Sequence, residues 1–261
     1  MMTDQLVTAS NNHLLEYTLH LADNALILGH RNSEWTGHGP ILEQDIALSN
    51  VALDLIGQAR NFYQYAATLK ADGSTEDTLA YLRDVSEFKN CVLVEQPNGD
   101  WGQTIIRQFL FSTYQYFLYQ QLQHGNNKAI AAIAEKAIKE VTYHTRWSTE
   151  WVIRLGDGTE ESHARMKRAL EHMWNFTDEL FVLASYEKEV VNNGIAIDHD
   201  LVKKQWYEKV SSVLNEATLA IPGISNNDGI NRGKEGHHTE YLFQILSEMQ
   251  SLQRAFPGCD W

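Results

Sequence analysis

Residues 103–123 have the sequence QTIIRQFLFSTYQYFLYQQLQ. Apolar and polar side chains recur in this stretch with the helical period, so it predicts a long amphipathic helix. The stretch contains no Asp, Glu or His. In helical bundles that bind two irons, carboxylates come from all four central helices and histidines from two of them. A bundle built around this helix is therefore expected to lack one helix's share of such ligands.

Helical periodicity continues along most of the chain. Predicted helices lie at about 12–31, 40–70, 76–93, 102–124, 127–155, 162–190, 199–220 and 237–255. Turn residues separate them, and the longest irregular stretch, 221–236, is expected to become ordered on a partner. A helix of 30 residues spans roughly 45 Å, which suits a bundle. We predict an all-α fold, a ferritin-like long-helix bundle with extra C-terminal helices, formed by a single domain over residues 1–261.

The chain is strongly acidic. It has 34 Asp and Glu residues against 21 Lys and Arg residues, which gives a formal net charge of −13. Such a surface repels phosphate backbones and anionic lipid headgroups, so neither nucleic acid nor a membrane is expected as a partner. A basic protein surface would be attracted instead.

Cysteine usage and the beginning of the sequence indicate a reducing compartment. Cys91 and Cys259 form no CxxC pair and suggest no disulfide framework. The first residues, MMTDQLVTASNN, include no apolar core of a signal peptide. No apolar run approaches the ~20 residues of a membrane span. We therefore expect a cytoplasmic protein.

The predicted helix at 40–70 carries a polar stripe. Its segment 46–69, IALSNVALDLIGQARNFYQYAATL, is apolar nearly all round and is expected to be well buried. Asn50, Asp54 and Asn61 share one face of this helix, and Gln58 lies close to it. A carboxylate in such surroundings is costly unless it is hydrogen-bonded, paired or metal-bound. Asp54 is thus either a remnant metal ligand or part of a buried polar network.

The predicted helix at 127–155 carries a carboxylate and a histidine one turn apart. Glu140 and His144 are spaced i, i+4, whereas di-iron bundles place the histidine at i+3, where this chain has Tyr143. Glu140 and His144 could share either one metal or one hydrogen bond. Lys136 and Lys139 are close enough in sequence to neutralise Glu140 without a metal.

The ligands available fall short of a di-iron site. Such a site takes four carboxylates and two histidines. The first predicted helix offers Glu16 and Asp23, with His20 or His30 as a further candidate ligand. The second offers Asp54, and the fifth offers Glu140 and His144 at the unusual spacing. A mononuclear site needs only three ligands and stays an alternative.

Other motifs add little chemistry. His237 and His238 are adjacent on a predicted helix and point in different directions, so we expect Thr239 or a neighbour to cap this helix instead. No nucleophile elbow, dinucleotide-binding fingerprint or Walker motif is present in the sequence. Aromatic residues crowd the stretch 103–123, which is typical of a core helix or of a subunit interface.

Several long strings carry a resemblance to a known family. They are SEWTGHGPILEQDIALSNVALDLIGQARN at 33–61, LVEQPNGDW at 93–101, AIKEVTYHTRW at 137–147, NEATLAIP at 215–222 and HHTEYLFQILSEMQSLQRAFPGCDW at 237–261. With them the chain resembles the PaaC-type structural subunits of bacterial multicomponent phenylacetyl-CoA monooxygenases, which are ring 1,2-epoxidases. The strings occur in the same order and span nearly the whole chain.

The resemblance implies a ferritin-like fold and a role in aerobic phenylacetate catabolism. It implies a tight pairing with a catalytic PaaA-type subunit that carries the di-iron centre. A small PaaB-type subunit and a reductase with FAD and an iron–sulfur cluster, fed by NADPH, would complete the complex. No catalytic residue, cofactor or metal is carried over to this chain, and Asp54, Glu140 and His144 would be remnants of a lost site.

Two other functions stay open from the residues. One is a self-sufficient metal-binding oxidase or hydroxylase that uses Glu140, His144 and Asp54. The other is a helical bundle with a ligand pocket in its core, for which the sequence shows no convergent polar set. In addition to pairing with different subunits, we allow for contacts between two copies of the chain.

Overall fold

The computed structural model describes residues 2–192, 197–223 and 232–259. These ranges contain helices and no strand, apart from one isolated bridge between Arg232 and His237. The helices are α1 (Met2–Ser33), α2 (Leu42–Lys70), α3 (Glu76–Tyr81), α4 (Val92–Glu95), α5 (Trp101–Leu122), α6 (Lys128–Gly156), α7 (Glu160–Trp174), α8 (Ser185–Asn192), α9 (His199–Glu216), α10 (Glu240–Met249) and α11 (Ser251–Ala255). In the described ranges no helix combines the length and apolar content needed to cross a bilayer.

Four long helices form the bundle. Helix α1 packs along α2, α5 packs along α6, and α2 contacts α6 across the bundle. Helices α7 and α9 cover α5, while α10 and α11 follow at the C-terminal end. The arrangement confirms the predicted all-α, ferritin-like bundle with extra C-terminal helices. The predicted ends of α2, α5 and α6 agree with the structure to within two residues.

The prediction of one continuous helix at 76–93 is wrong. Helix α3 ends at Tyr81, a single 3-10 turn follows at Val85–Glu87, and the short α4 begins at Val92. Two backbone N–H groups here are bonded to buried carboxylates from elsewhere: Lys89 donates to Asp23 and Val92 donates to Glu179. A continuous helix would need these same donors for its own carbonyls, so the distant carboxylates stop it.

The helix predicted at 162–190 is also broken. Helix α7 ends at Trp174, a 3-10 turn occupies Asp178–Phe181, and α8 begins at Ser185. The Glu187 carboxylate accepts the backbone N–H of Ala184 at 2.8 Å and thereby starts α8 as a separate helix. Sequence periodicity alone could not show this interruption.

The C-terminal helix differs from the prediction in its start and its cap. Helix α10 begins at Glu240, and the preceding Thr239 does not cap it with its side chain. Instead the N–H and the hydroxyl of Thr239 both donate to Glu95, each at 2.7 Å. The predicted cap is therefore wrong, because a buried carboxylate on α4 competes for the threonine. Of the irregular stretch 221–236, residues 224–231 lie outside the described ranges.

Helix α5 is the central helix of the bundle. The aromatic side chains of Phe109, Phe111, Tyr114 and Tyr119 are all buried within this chain. Tyr116 and Phe117 are partly buried and pack against the same core. The aromatic surface that suggested a subunit interface therefore belongs to the core.

Helix α2 is not buried all round, which contradicts the sequence prediction. Leu42 is 72% exposed, Ile46 is 52% exposed and Leu53 is 68% exposed. The opposite face, with Leu48 and Leu55 among others, is fully buried. One apolar row of α2 thus faces away from the core of its own chain.

A buried carboxylate on α1 joins three parts of the chain. Asp23 accepts a hydrogen bond from the Tyr63 hydroxyl of α2 at 2.5 Å and from the Lys89 backbone N–H at 2.7 Å. Arg83 forms two further bonds to it, and its guanidinium lies 4.2 Å from the centre of the Phe88 ring. The contacts fix the irregular segment after α3 onto α1 and α2.

A second set of buried charges holds the C-terminal part. The Lys234 ammonium lies 3.1 Å from the Glu187 carboxylate and also donates to the carbonyl of Val182. The two ring nitrogens of His238 face only acceptors, the Glu95 carboxylate at 2.8 Å and the Phe88 carbonyl at 2.9 Å. Burial opposes the charge of this ring, yet the hydrogen bond and the charge of Glu95 raise the pKa of His238 above its usual value.

Loss of the Arg83 guanidinium should destabilise the fold strongly. Arg83→Met leaves the buried Asp23 carboxylate without its counter-charge, and we expect unfolding to become easier by about 3–5 kcal/mol in urea denaturation. The double variant Asp23→Asn with Arg83→Met should lose less stability than Arg83→Met alone, because it removes the buried negative charge as well. As a control, Arg165→Met breaks an exposed pair with Glu161 and should cost less than ~1 kcal/mol. Equal losses for the two arginines would contradict this role of Asp23.

The contribution of His238 should depend on pH. Because its folded pKa is raised, its stabilisation is fully present below about pH 6.5, the unfolded pKa, and is lost as pH rises through the folded pKa. His238→Gln should therefore lower Tm more at pH 6 than at pH 9. The exposed His124→Gln serves as the control and should show no such difference between the two pH values. An equal effect of His238→Gln at both pH values would contradict the prediction.

Candidate functional site

The three residues singled out by the sequence meet at the contact between α2 and α6. His144 Nε2 lies 3.0 Å from Asp54 Oδ2, and Gln58 Nε2 donates to Glu140 Oε2 at 2.9 Å. Asp54 and Gln58 are one turn apart on α2, as Glu140 and His144 are on α6. Because the two helices run antiparallel, each residue of one pair faces one residue of the other.

The hydrogen bond proposed between Glu140 and His144 is not formed. Each of them bonds instead to a side chain of α2. Neutralisation by Lys136 or Lys139 is not formed either, since among the described residues no lysine pairs with Glu140, which accepts the Gln58 amide instead. The three residues thus lie at one helix contact, but Glu140 and His144 bond to side chains other than those that the sequence suggested.

The other end of the contact fixes its register. Gln44 near the start of α2 accepts hydrogen bonds from the indole N–H groups of Trp147 at 3.0 Å and Trp151 at 2.8 Å. Both tryptophans lie on α6, beyond His144. The register that aligns Asp54 with His144 is therefore set by contacts along the length of both helices.

Helix α5 adds only neutral polar groups. The Gln115 amide donates to Gln58 Oε1 at 3.0 Å and to the Tyr119 hydroxyl at 3.0 Å. Nearby, the Ser112 hydroxyl lies 3.3 Å from that of Ser148 on α6. Sequence analysis missed Gln115 and Ser112, because amides and hydroxyls are common on helices. A glutamine within such an apolar helix was the available signal.

The site opens to the surface on one side. His144, Gln58 and Gln115 are buried, whereas the Asp54 side chain is 35% exposed. A surface pocket of about 270 Å³ lies beside these side chains, between α2 and α6. Its lining residues are Leu53, Asp54, Gly57, Gln58, Arg60, Asn61, Ile133, Lys136, Ala137 and Glu140. The two carboxylates thus border a surface pocket.

The donor set does not fit a di-iron centre. Over the described residues no group of three or more His, Cys, Asp or Glu side chains is placed to hold a metal ion. Asp54, Glu140 and His144 come from only two helices, and the amide N–H groups of Gln58 and Gln115 point into the same network as hydrogen-bond donors. Two irons would require four carboxylates and two histidines. The arrangement cross-links three helices of the bundle.

The Gln58 side chain should be the main support of this network. Gln58→Leu removes the donor to Glu140 and the acceptor of the buried Gln115 amide, so we expect a loss of about 2 kcal/mol in urea denaturation. Glu140→Gln retains an acceptor oxygen for Gln58 and should cost less than ~1 kcal/mol. A Glu140→Gln loss as large as that of Gln58→Leu would show that the carboxylate charge, and not the amide chain, stabilises the contact.

Comparisons with known proteins identify the family of this chain. A family model described as "Phenylacetic acid catabolic protein" (PaaA_PaaC) matches residues 1–261. The chain is 46% identical over 250 residues to an Escherichia coli (strain K12) protein that is named as one of the subunits of 1,2-phenylacetyl-CoA epoxidase. This alignment covers 96% of the chain and 100% of the relative. The chain therefore belongs to the PaaA/PaaC family of phenylacetic acid catabolic proteins.

Proposed function

We propose that the chain is a non-catalytic structural subunit of a multicomponent di-iron phenylacetyl-CoA monooxygenase, a ring 1,2-epoxidase of aerobic phenylacetate catabolism. In this role it pairs with the catalytic PaaA-type subunit and stabilises it. A small PaaB-type subunit and a reductase with FAD and an iron–sulfur cluster, which takes electrons from NADPH, complete the complex. The relative from Escherichia coli, which is named as part of such an epoxidase and is aligned over its full length, supports membership of the complex.

One observation supports the non-catalytic role in particular. The side chains at the contact of α2, α5 and α6 bond to one another: Gln115 bonds to Gln58, Gln58 bonds to Glu140, and His144 bonds to Asp54, while His144 Nδ1 and Gln115 Oε1 are buried without a hydrogen-bond partner among the described residues. In an oxygen-activating bundle, this is where carboxylates and histidines are left available for iron. Here one of the contributing helices supplies amide and hydroxyl groups only.

The chemistry that a di-iron centre supplies, oxygen activation, is thereby assigned to the partner subunit. The residues of this chain would contribute rigidity. Asp23 with Arg83, Glu187 with Lys234 and the network around Gln58 each bond groups from separate helices or segments. A chain held in this way offers a fixed surface for the packing of a catalytic partner.

A self-sufficient metal-binding oxidase is the alternative that one specific observation favours. Asp54, Glu140 and His144 lie at one helix contact, and the two carboxylates border an open pocket. Three such side chains could hold a single ion if they gave up their present hydrogen bonds. Metal content distinguishes this alternative from the structural role.

Metal analysis of the purified protein tests the assignment. We expect substoichiometric iron in the chain alone and a full di-iron complement in the complex co-purified with the PaaA-type subunit. The triple variant Asp54→Ala, Glu140→Ala and His144→Ala should leave the iron content of that complex unchanged. Stoichiometric iron on the chain alone, lost in the triple variant, would overturn the proposal in favour of the oxidase.

A further inference from the structure

An apolar row runs along the outer face of α2. Leu42, Ile46, Leu53 and Gly57 are separated by four, seven and four residues, so they lie on one side of the helix. The three aliphatic side chains are among the most exposed of the large hydrophobic residues in the described part of the chain. Apolar side chains aligned along a helix mark an interaction surface more often than isolated ones do. The row occupies roughly 22 Å of helix length at 1.5 Å per residue.

Gly57 is not required by any contact among the described residues. A Cβ built on it would meet no atom within 4 Å. It lies in the interior of α2, where glycine is less favourable than alanine. A second helix crossing at this point could approach the backbone closely because the side chain is missing.

Two carboxylate oxygens in the pocket beside the row accept no hydrogen bond from the described residues. Asp54 uses only Oδ2 in its contact with His144, and Glu140 uses only Oε2 in its contact with Gln58. Among the described residues no donor reaches the second oxygen of either carboxylate. Leu53 and Gly57 line the same pocket, so the apolar row and these two free oxygens form one surface.

Two carboxylates, Asp54 and Glu140, and two cations line the pocket. One cation, Arg60, lies 3.4 Å from Glu76 outside the pocket, and the other, Lys136, is exposed and paired with neither carboxylate. A basic side chain from outside would therefore find one oxygen of Asp54 and one of Glu140 free to accept a hydrogen bond.

We propose that the α2 row with its pocket is the docking surface for one helix of a different protein chain. That helix lays aliphatic side chains against Leu42, Ile46 and Leu53, crosses α2 closely at Gly57, and places one Lys or Arg in the pocket beside Asp54 and Glu140. The inference rests on the proposed function, in which the different chain is the catalytic subunit. A second copy fits less well, because two chains that each carry a net charge of −13 repel one another.

Binding measurements on variants of Gly57 and Leu53 test the proposal. The full-length chain is titrated with purified PaaA-type subunit, and Kd is measured. We expect Gly57→Gln and Leu53→Asp each to weaken binding by at least ~10-fold, as loss of a well-packed interface contact does. Leu201→Asp, at a 42% exposed leucine on α9, is the matched control and should leave Kd within about 2-fold.

The glycine also gives a readout in the chain alone. Gly57→Ala should raise Tm of the isolated chain by about 2–4 °C, since the added methyl group has space and the helix gains stability. The same substitution should weaken binding to the partner. A variant that is more stable alone and yet binds less well cannot be explained by misfolding.

The pocket is tested by salt dependence. The double variant Asp54→Asn with Glu140→Gln should weaken binding and should reduce its sensitivity to ionic strength, because a cation would no longer be paired there. Unchanged salt dependence would overturn the placement of a basic side chain in the pocket.

The outcomes separate this inference from the proposed function. If the unmodified chain does not bind the PaaA-type subunit, the proposed function fails. If it binds and all the α2 variants bind equally well, the docking surface is overturned while the proposed function stands. If light scattering shows that the chain alone dimerises and that Leu53→Asp abolishes the dimer, the row serves a second copy and the inference is wrong.

Discussion

The need of a buried carboxylate for hydrogen-bond donors shapes this fold more than any other interaction. Asp23 on α1 lies in the core and obtains its donors from Tyr63, Arg83 and the Lys89 backbone. An unsatisfied charge at such a position would cost several kcal/mol, so the segment after α3 leaves the helical path to reach it. The buried Glu179 carboxylate likewise accepts a hydrogen bond from the backbone N–H of Val92. Buried acids thus determine where this all-helical chain stops being helical.

This constraint explains which elements the sequence could predict. The long helices α2, α5 and α6 follow from the 3.6-residue period, because each has an apolar face against the core. The break after Tyr81 could not be predicted, since the Asp23 and Glu179 carboxylates that bond its backbone lie on remote parts of the chain. Local periodicity describes amphipathic character and says nothing about a carboxylate that arrives from another helix. The same reason accounts for Thr239, whose hydroxyl bonds to Glu95 instead of capping α10.

The residues of the candidate site could be singled out from the sequence, but their hydrogen-bond partners could not. Asp54 stands out because a carboxylate is rare in an apolar helix, whereas Glu140 and His144 stand out because they lie one helical turn apart. Their partners depend on the register of α2 against α6, which contacts as distant as that of Gln44 with Trp151 help to set. The exposed row of α2 was misjudged for a related reason. A leucine that faces a partner chain and a leucine that faces its own core give the same sequence pattern.

The polar network lies inside the bundle, whereas the exposed apolar row lies on the outer face of α2. Inside the bundle, Gln58 of α2 bonds to Gln115 of α5 and to Glu140 of α6. On the outer side, Asp54 and Glu140 each keep one oxygen free beside an apolar row and a glycine that no internal contact requires. Helix α5 would have to supply iron ligands in a catalytic bundle, yet it contains no Asp, Glu or His. The missing ligands of α5 and the exposed row of α2 together support the proposed role in association.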